Sequence, residues 1–370
     1  MLKNKIYQNF LLEIAKNFFL FLFIFSLIAL TVRAVNFLDL IVDSGYPIST
    51  YFAYSLYNLF GLIPKFVPIS FLIALMMFIL KHHDSEFTIL WTSGVSKIQI
   101  INILLQGSIV ILCFYILFSS FLSPAALNKS RQLLGNDKFN SLIPTIRSKQ
   151  FEDTFVGLTI IVDKKKNSEI ENVFLHDADN NLKNLSSDSE NTSTTTVVAK
   201  KGLIDKKKLS LMNGQIISTK KNMQENEIIF FDLLNIDLSN FNTSTIKQPK
   251  IQETSSIKII NCLFLDLGDP QFCNDESKKE IIPNFIRRFI MPFYIPIIVL
   301  ICSFLFLKSR RTMLNKFFIF IYSLSLLVFT ELFLRFTGLS EAVKYMYIFS
   351  PLIIFSIFYF TLIYTLSNKT

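Results

Sequence analysis

The sequence lacks the motifs that identify several common classes of enzyme. It contains no G-x-x-x-x-G-K-[ST] phosphate-binding loop, no H-E-x-x-H zinc motif and no G-x-S-x-G nucleophile turn. Nothing in it resembles a nucleic-acid-binding motif, and no set of catalytic side chains converges. These absences argue against an ATPase of the phosphate-binding-loop type, a zinc protease and an α/β-hydrolase. We expect no cofactor and no metal site.

Glycine and charge are scarce, whereas phenylalanine is abundant. The 370 residues include only 10 Gly and 18% charged residues, against 40 Phe and 51% hydrophobic residues. This composition is too apolar for an ordinary soluble protein and indicates a membrane protein. The net charge of +9 is then interpreted through membrane topology and contact with anionic lipid, not through nucleic acid.

Six apolar stretches are long enough to cross a bilayer, which takes about 20 apolar residues. Basic residues precede the first stretch, as in a signal peptide, but no small-residue cleavage site follows it. We therefore interpret it as a retained helix. The predicted spans cover residues 17–35, 59–80, 98–122, 289–307, 317–334 and 345–366.

Lysine and arginine near the span ends predict the orientation. The N-terminal segment and the 308–316 loop are basic, whereas the 36–58 loop contains neither Lys nor Arg. This asymmetry predicts that both termini and the 81–97 and 308–316 loops are cytoplasmic. The 36–58 loop, the 336–344 loop and the large polar segment between the third and fourth spans are then outside.

The large polar segment contains short runs of β-branched and aromatic residues. These runs predict strands at 155–163, 170–177, 195–204, 208–219 and 226–238, with turn signals at 177–180 and at Asn213-Gly214. The predicted domains are thus 1–122 (three spans), 123–285 (an all-β domain, sandwich or jelly-roll-like) and 286–370 (three spans). Within the β domain, Cys262 and Cys273 form a disulfide if the compartment is oxidising and the side chains meet. The disulfide-bonded state and the free-thiol state both stay open.

A short patterned stretch lies in the cytoplasmic loop between the second and third spans. Phe87, Leu90 and Trp91 are spaced i, i+3 and i+4, which predicts one apolar face of a helix within residues 84–94. Glu86 lies in its first turn. The adjacent His82 and His83 are interpreted as polar residues at the membrane interface and not as a metal site.

Three stretches resemble the lipopolysaccharide-export permease family LptF/LptG. "DSEFTILWTSGVSK" (84–97) is similar to the family's cytoplasmic coupling segment, and "VVAKKGLIDKKKLSLMNGQI" (197–216) to its β-domain signature. "FIRRFIMPFYIPIIVLICSFLFLKSRR" (285–311) resembles its fourth span, and "VDSGYP" (42–47) favours LptF over LptG. The β domain departs from the family in carrying more lysines and a longer polar insertion.

The resemblance implies a permease subunit of an ABC exporter in the bacterial inner membrane, with the β domain in the periplasm. The implied partners are a dimer of the ATPase LptB, a second permease (LptG or LptF), the jelly-roll proteins LptC and LptA, and lipopolysaccharide. Glu86 would reach an Arg of the ATPase, while Phe87, Leu90 and Trp91 fill a groove in it. Alternatively, Glu86 only complements the helix dipole and Trp91 lies at the membrane interface.

Basic residues near the outer ends of the spans are candidates for binding the phosphates of lipid A, because guanidinium groups bind phosphate in a bidentate manner. The position of Arg33 matches a basic residue that the family places toward lipopolysaccharide. For the other candidates, helix-end anchoring is an equal alternative, and Arg335 could instead pair with Glu331. The five candidates are Arg33, Lys65, Arg287, Arg288 and Arg335.

A function of another class stays open on the sequence alone. A membrane sensor or mechanotransmitting protein, with a ligand-binding β domain and a signalling cytoplasmic helix, would have the same arrangement of spans. We expect a neighbouring gene for a second protein of this layout, or co-purification with an ATPase, to favour transport.

Overall fold

The computed structural model describes residues 5–38, 41, 47–83, 85–137, 148–155, 157–166, 168–179, 182, 192–205, 208–220, 226–237, 250–265, 272–307 and 313–367. The chain divides into two compact units. The first contains residues 1–31, 58–128 and 250–370, and the second contains residues 32–57 and 129–249.

Within the described residues the structure contains ten α-helices. They are α1 (Lys5–Asn36), α2 (Ile48–His82), α3 (Glu86–Thr92), α4 (Lys97–Leu117), α5 (Ser123–Asp137), α6 (Ser256–Ile260), α7 (Asp275–Phe289), α8 (Tyr294–Ser303), α9 (Met313–Phe336) and α10 (Glu341–Ser367). A π-helical turn, Phe118–Leu122, joins α4 to α5, and a 3₁₀ turn, Met291–Phe293, joins α7 to α8.

Six of the helical stretches are long and apolar enough to cross a membrane, as predicted. Each contains a predicted span, except that the fourth stops one residue short of its predicted end. The helices also extend beyond most of the apolar runs, since a helix does not need to end where its apolar sequence ends. They cover Lys5–Asn36, Ile48–His82, Lys97–Leu134, Asp275–Phe306, Lys316–Phe336 and Glu341–Leu366.

The helices differ in how much of their surface the chain itself buries. In α8, every residue except Pro296 is buried, which is typical of a helix at the centre of a bundle. In α1, the buried residues form one stripe with i, i+4 spacing: Phe10, Ile14, Phe18, Leu22 and Ser26. Large apolar side chains such as Phe23 are exposed on its other faces. An exposed apolar surface of this kind is expected of a helix that faces lipid or another chain.

Six strands form one antiparallel sheet in sequential order, so each strand pairs with its neighbour in the chain. They are β1 (Glu152–Phe155), β2 (Leu158–Lys166), β3 (Glu169–Asp177), β4 (Thr192–Asp205), β5 (Lys208–Lys220) and β6 (Asn226–Asp237). The predicted inserted all-β domain is therefore confirmed. Among the described strands the order is a meander, not the Greek-key order of a jelly roll.

The sheet is creased along one row of residues. From β2 to β6, backbone pairing is interrupted at the same level in every neighbouring pair, without a change in register. Asn172 and Asn213 on this row have φ of 51° and 52°. Asn adopts this left-handed conformation more readily than other non-glycine residues. The row consists of Asp163, Asn172, Lys200, Asn213 and Asp232.

The crease also shifts the inward-facing residues by one position. Ile170 and Val173 are both buried on β3, although strict alternation would place them on opposite faces. Apolar residues on both sides of the crease belong to one buried cluster, such as Val162 and Leu209. A single sheet thereby encloses its own core. Asn213-Gly214, predicted as a turn, instead lies inside β5 at this crease.

The sheet occupies only part of the predicted 123–285 domain. Residues 123–137 and 275–289 are helical, and residues 250–285 belong to the first unit. The strand β1 falls mostly outside the predicted strands because its sequence, Glu-Asp-Thr-Phe, is short and acidic and gives no apolar alternation.

Candidate functional site

The short helix α3 has a defined chain geometry at its C-terminal end. Gly94 follows it with φ of 92°, and the Val95 N–H donates to the carbonyl of Leu90 at 3.0 Å. A glycine in this conformation is a common helix terminator. Ser96 and Gln99 then form a reciprocal capping box that begins α4. The segment therefore has the conformation of a fixed helical turn between two long helices.

The inner face of α3 packs into the protein's own core. Phe87 is 0% exposed. Its ring lies against those of Phe10 of α1, Phe78 of α2 and Phe306, with centroid separations of 5.8, 5.8 and 5.2 Å. Trp91 stacks on Phe87 at 6.1 Å. These contacts hold α3 against three other segments of the first unit: α1, α2 and the turn that contains Phe306.

This packing corrects the predicted role of Phe87, whereas the predicted roles of Leu90 and Trp91 stay predictions. Leu90 and Trp91 are partly buried against the same cluster, and the Lys97 ammonium lies 4.8 Å from the Trp91 ring. Since Phe87 is enclosed by its own chain, it is not available to fill a groove in a separate ATPase. The periodicity correctly located an apolar face, but that face is directed toward the core.

The outward face of α3 is formed by other residues. The Glu86 side chain is 49% exposed, and Ile89, one turn along, is 66% exposed. Ile89 was not among the predicted site residues, although its position three residues after Glu86 places it on the same helix face. A carboxylate and an apolar side chain thus lie together on the exposed surface, which suits contact with a protein partner.

A polar cluster lies behind Glu86. The His82 Nδ1 atom is 2.7 Å from a carboxylate oxygen of Glu86, and Nε2 is 2.9 Å from Glu13 of α1. The Lys81 ammonium contacts the second oxygen of Glu13 at 2.6 Å. His82 itself is only 4% exposed. Glu13 was also missed; the signal was that it is the only carboxylate in α1, where charge is costly unless paired.

Three of the five predicted phosphate-binding residues line one small cavity of about 50 Å³: Lys65, Arg287 and Arg288. Arg287 donates to Glu331 of α9 at 2.5 Å. Glu331 thus pairs with a basic residue of another membrane-spanning stretch, and not with Arg335. Lys65 and Arg287 remain candidates for anion binding because each reaches this cavity.

Arg288 differs from its neighbour because it is buried, with 4% exposure. Its guanidinium donates to the Ser256 hydroxyl and the Thr254 carbonyl at 2.9 Å, and also to the carbonyls of Ile251 and Gln252. These bonds fix the segment that leads into α6. The prediction of Arg288 as a phosphate ligand is corrected accordingly, since its guanidinium is enclosed by the chain and accounted for by internal acceptors.

The two remaining basic candidates lie at helix ends. Arg33 is exposed in the last turn of α1, with its guanidinium 5.8 Å from the Phe37 ring. Nearby, in the same unit, the Tyr51 hydroxyl donates to the Ala34 carbonyl at 2.7 Å. Arg335 is exposed in the last turn of α9. Their predicted contact with lipid A phosphates stays a prediction.

The cysteines fall into two groups. Cys262 and Cys273 are joined by a disulfide, with Cα atoms 5.7 Å apart, in the segment between α6 and α7. Cys113 and Cys302 are free thiols within the third and fourth membrane-spanning stretches. The disulfide fits a segment in an oxidising compartment.

One family model matches the chain over residues 10–367. Its description is "Lipopolysaccharide export system permease LptF/LptG". The match reaches from α1 to the last residue of α10 and does not separate LptF from LptG, so the preference for LptF stays a prediction. The stretch on which that preference rests, 42–47, lies mostly outside the described residues. No curated protein matched the chain.

Proposed function

Because the chain belongs to the lipopolysaccharide export permease family LptF/LptG, we propose that it is the membrane-spanning subunit of an ATP-driven exporter. It extracts lipopolysaccharide from the bacterial inner membrane and passes it to a periplasmic bridge, while a separate ATPase supplies the energy. The observation that carries this proposal is the short helix α3. One face of α3 packs against other helices of the first unit, and the other face exposes Glu86 and Ile89.

The coupling between ATPase and permease follows from these two faces. A partner that moves Glu86 and Ile89 also moves the Phe87 side, since both faces belong to one helix of seven residues. Phe87 contacts α1, α2 and the end of the fourth span. A displacement of α3 therefore reaches three membrane-spanning stretches through packed aromatic rings. The Glu86 carboxylate binds an arginine of the ATPase by a charge-assisted hydrogen bond.

The outer ends of the spans receive the lipid. Lys65 and Arg287 bind phosphate at the cavity they share, and the Glu331 carboxylate holds Arg287 in place until an anion competes for it. Arg33 and Arg335 provide further exposed cations. The creased sheet, with apolar residues directed to one side, forms the periplasmic stage of the path. LptC and LptA continue that path, and a second permease completes the membrane unit.

Orientation and partnership can be tested in one preparation. In a Cys113→Ser, Cys302→Ser background, we introduce Lys201→Cys on the exposed side of β4, or Ser93→Cys next to α3, and add an impermeant thiol reagent to spheroplasts. We expect labelling at position 201 only. Labelling at position 93 but not 201 would contradict the topology.

Co-purification distinguishes the two classes of function. Affinity purification of the tagged chain from its native membrane is expected to retain an ATPase and a second six-span permease. Recovery of a signalling kinase in place of an ATPase would favour the sensor alternative. The control is the same purification with Ile89→Asp, which places a charge on the exposed face of α3 and is expected to release the ATPase but not the second permease.

A further inference from the structure

The buried histidine beside α3 links two carboxylates that belong to different helices. His82, at the end of α2, lies between Glu13 of α1 at 2.9 Å and Glu86 of α3 at 2.7 Å. The ring is enclosed by Phe10, Phe78 and Phe87, with centroid separations of 5.8, 4.8 and 6.2 Å. The apolar rings around His82 lower the local dielectric, which strengthens its hydrogen bonds relative to those in water.

The chemistry of the bridge follows from the groups that it joins. An ionised carboxylate only accepts hydrogen bonds, and a neutral imidazole has one donor nitrogen and one acceptor nitrogen. A ring whose two nitrogens both face carboxyl oxygens at bonding distance hydrogen-bonds to both carboxyl groups. Lys81 contacts Glu13 on its exposed side. The cluster therefore joins one histidine and one lysine to two carboxyl groups.

We propose that His82 is a positioning residue that ties the coupling carboxylate Glu86 to Glu13 and transmits the movement of α3 to α1. This inference rests on the proposed function, in which Glu86 is the contact for the ATPase. The bridge engages one oxygen of Glu86 while the side chain stays partly exposed. The carboxylate can therefore accept a bond from the ATPase and remain bonded to His82. Without the bridge, α3 would act on α1 through aromatic packing alone.

The two hydrogen bonds of the bridge are measured first. The chain contains three histidines, so the ring ¹⁵N resonances of a histidine-labelled preparation can be assigned with a His82→Gln variant. The expected spectrum shows both His82 nitrogens engaged in hydrogen bonds. A His82 ring with one nitrogen outside any hydrogen bond would overturn the bridge, because the ring would then hold only one carboxyl group.

The functional test compares the stimulation of ATP hydrolysis in two bridge variants with that in a matched control. Glu13→Gln removes the charge of one carboxylate and so weakens the bridge, and His82→Gln removes the ring that joins the two carboxyl groups, each with a small change of shape. Lys81→Gln removes a contact of the same carboxylate outside the bridge. We expect the first two variants to assemble with the ATPase but to lose about 5-fold or more of the lipopolysaccharide stimulation of ATP hydrolysis, the range typical of coupling between sites. Lys81→Gln should retain it, because exposed ion pairs contribute little.

The outcomes separate this inference from the proposed function. If Glu86→Ala is stimulated normally, coupling through Glu86 fails and the bridge has no role. If Glu86→Ala loses stimulation while Glu13→Gln and His82→Gln behave like Lys81→Gln, the bridge alone is overturned. If His82→Gln does not accumulate, Glu13→Gln still gives the answer, since Gln has nearly the shape of Glu and removes only the charge.

Discussion

The packing of α3 predicts different effects for two substitutions two residues apart: one lowers stability and the other lowers affinity for the ATPase. Phe87 is fully buried among aromatic rings, whereas Ile89 is mostly exposed. Truncation of a buried Phe to Ala typically costs about 3–5 kcal/mol. A seven-residue helix is too short to be stable without packing. Phe87→Ala should therefore release α3 locally, which would be measured as faster hydrogen exchange of backbone amides 89–95 and as a lower unfolding temperature of the detergent-purified protein.

Ile89→Ala is the matched control, because it shortens a side chain on the opposite face of the same helix. We expect its stability to change by no more than about 0.5 kcal/mol. Its affinity for the ATPase should fall by roughly 1–2 kcal/mol, or about 5- to 30-fold, as for a contact within an interface. The reasoning is refuted if Phe87→Ala exchanges at the wild-type rate and Ile89→Ala binds the ATPase with wild-type affinity.

Three further experiments test other parts of the structure. Asn213→Gly should retain stability, whereas Asn213→Val should lose about 1–2 kcal/mol in denaturant unfolding because β-branched residues disfavour positive φ; equal stability would argue against the crease. Arg288→Met should cost roughly 3 kcal/mol, since buried acceptors lose their donor, and an unchanged unfolding temperature would contradict this. Arg287→Gln and Glu331→Gln should show a coupling energy of about 1 kcal/mol in a double-mutant cycle; purely additive effects would show that the pair contributes nothing.

The six spans could be predicted because the bilayer imposes a length and an apolarity that few other structures need. The predicted 98–122 stretch lies within a helical stretch from Lys97 to Leu134. The strands could also be located, since β-branched residues in β2 to β6 follow the alternation of a sheet that is buried on one side. Both predictions rest on local patterns and need no knowledge of distant partners.

The burial of α3 could not be predicted from its sequence. The spacing of Phe87, Leu90 and Trp91 identifies an apolar face, but the pattern is the same whether a separate protein or the chain's own core covers it. The partners of Phe87 include Phe10 and Phe306, which are far away in the sequence. Only the tertiary contacts decide between the two possibilities.

The crease and the role of Arg288 illustrate the same limit. Asn213-Gly214 has the composition of a turn, and the backbone does adopt a left-handed conformation at Asn213. However, Asn172 on β3 lies on the same row as Asn213 on β5. The irregular backbone at these two positions therefore belongs to one bend of a continuous sheet. Arg288 appeared as one of two adjacent basic residues, and its acceptors lie more than 30 residues earlier.

The central claim is that this chain transports lipopolysaccharide with energy received through Glu86. The most direct test is ATP-dependent release of lipopolysaccharide from proteoliposomes that contain the complete complex, with either the wild-type chain or Glu86→Gln. We expect release by the wild type to require ATP hydrolysis, and the assembled Glu86→Gln complex to release lipopolysaccharide at least about 10-fold more slowly, equivalent to roughly 1.4 kcal/mol. Release by Glu86→Gln at the wild-type rate, or wild-type release that does not depend on ATP, would contradict the account.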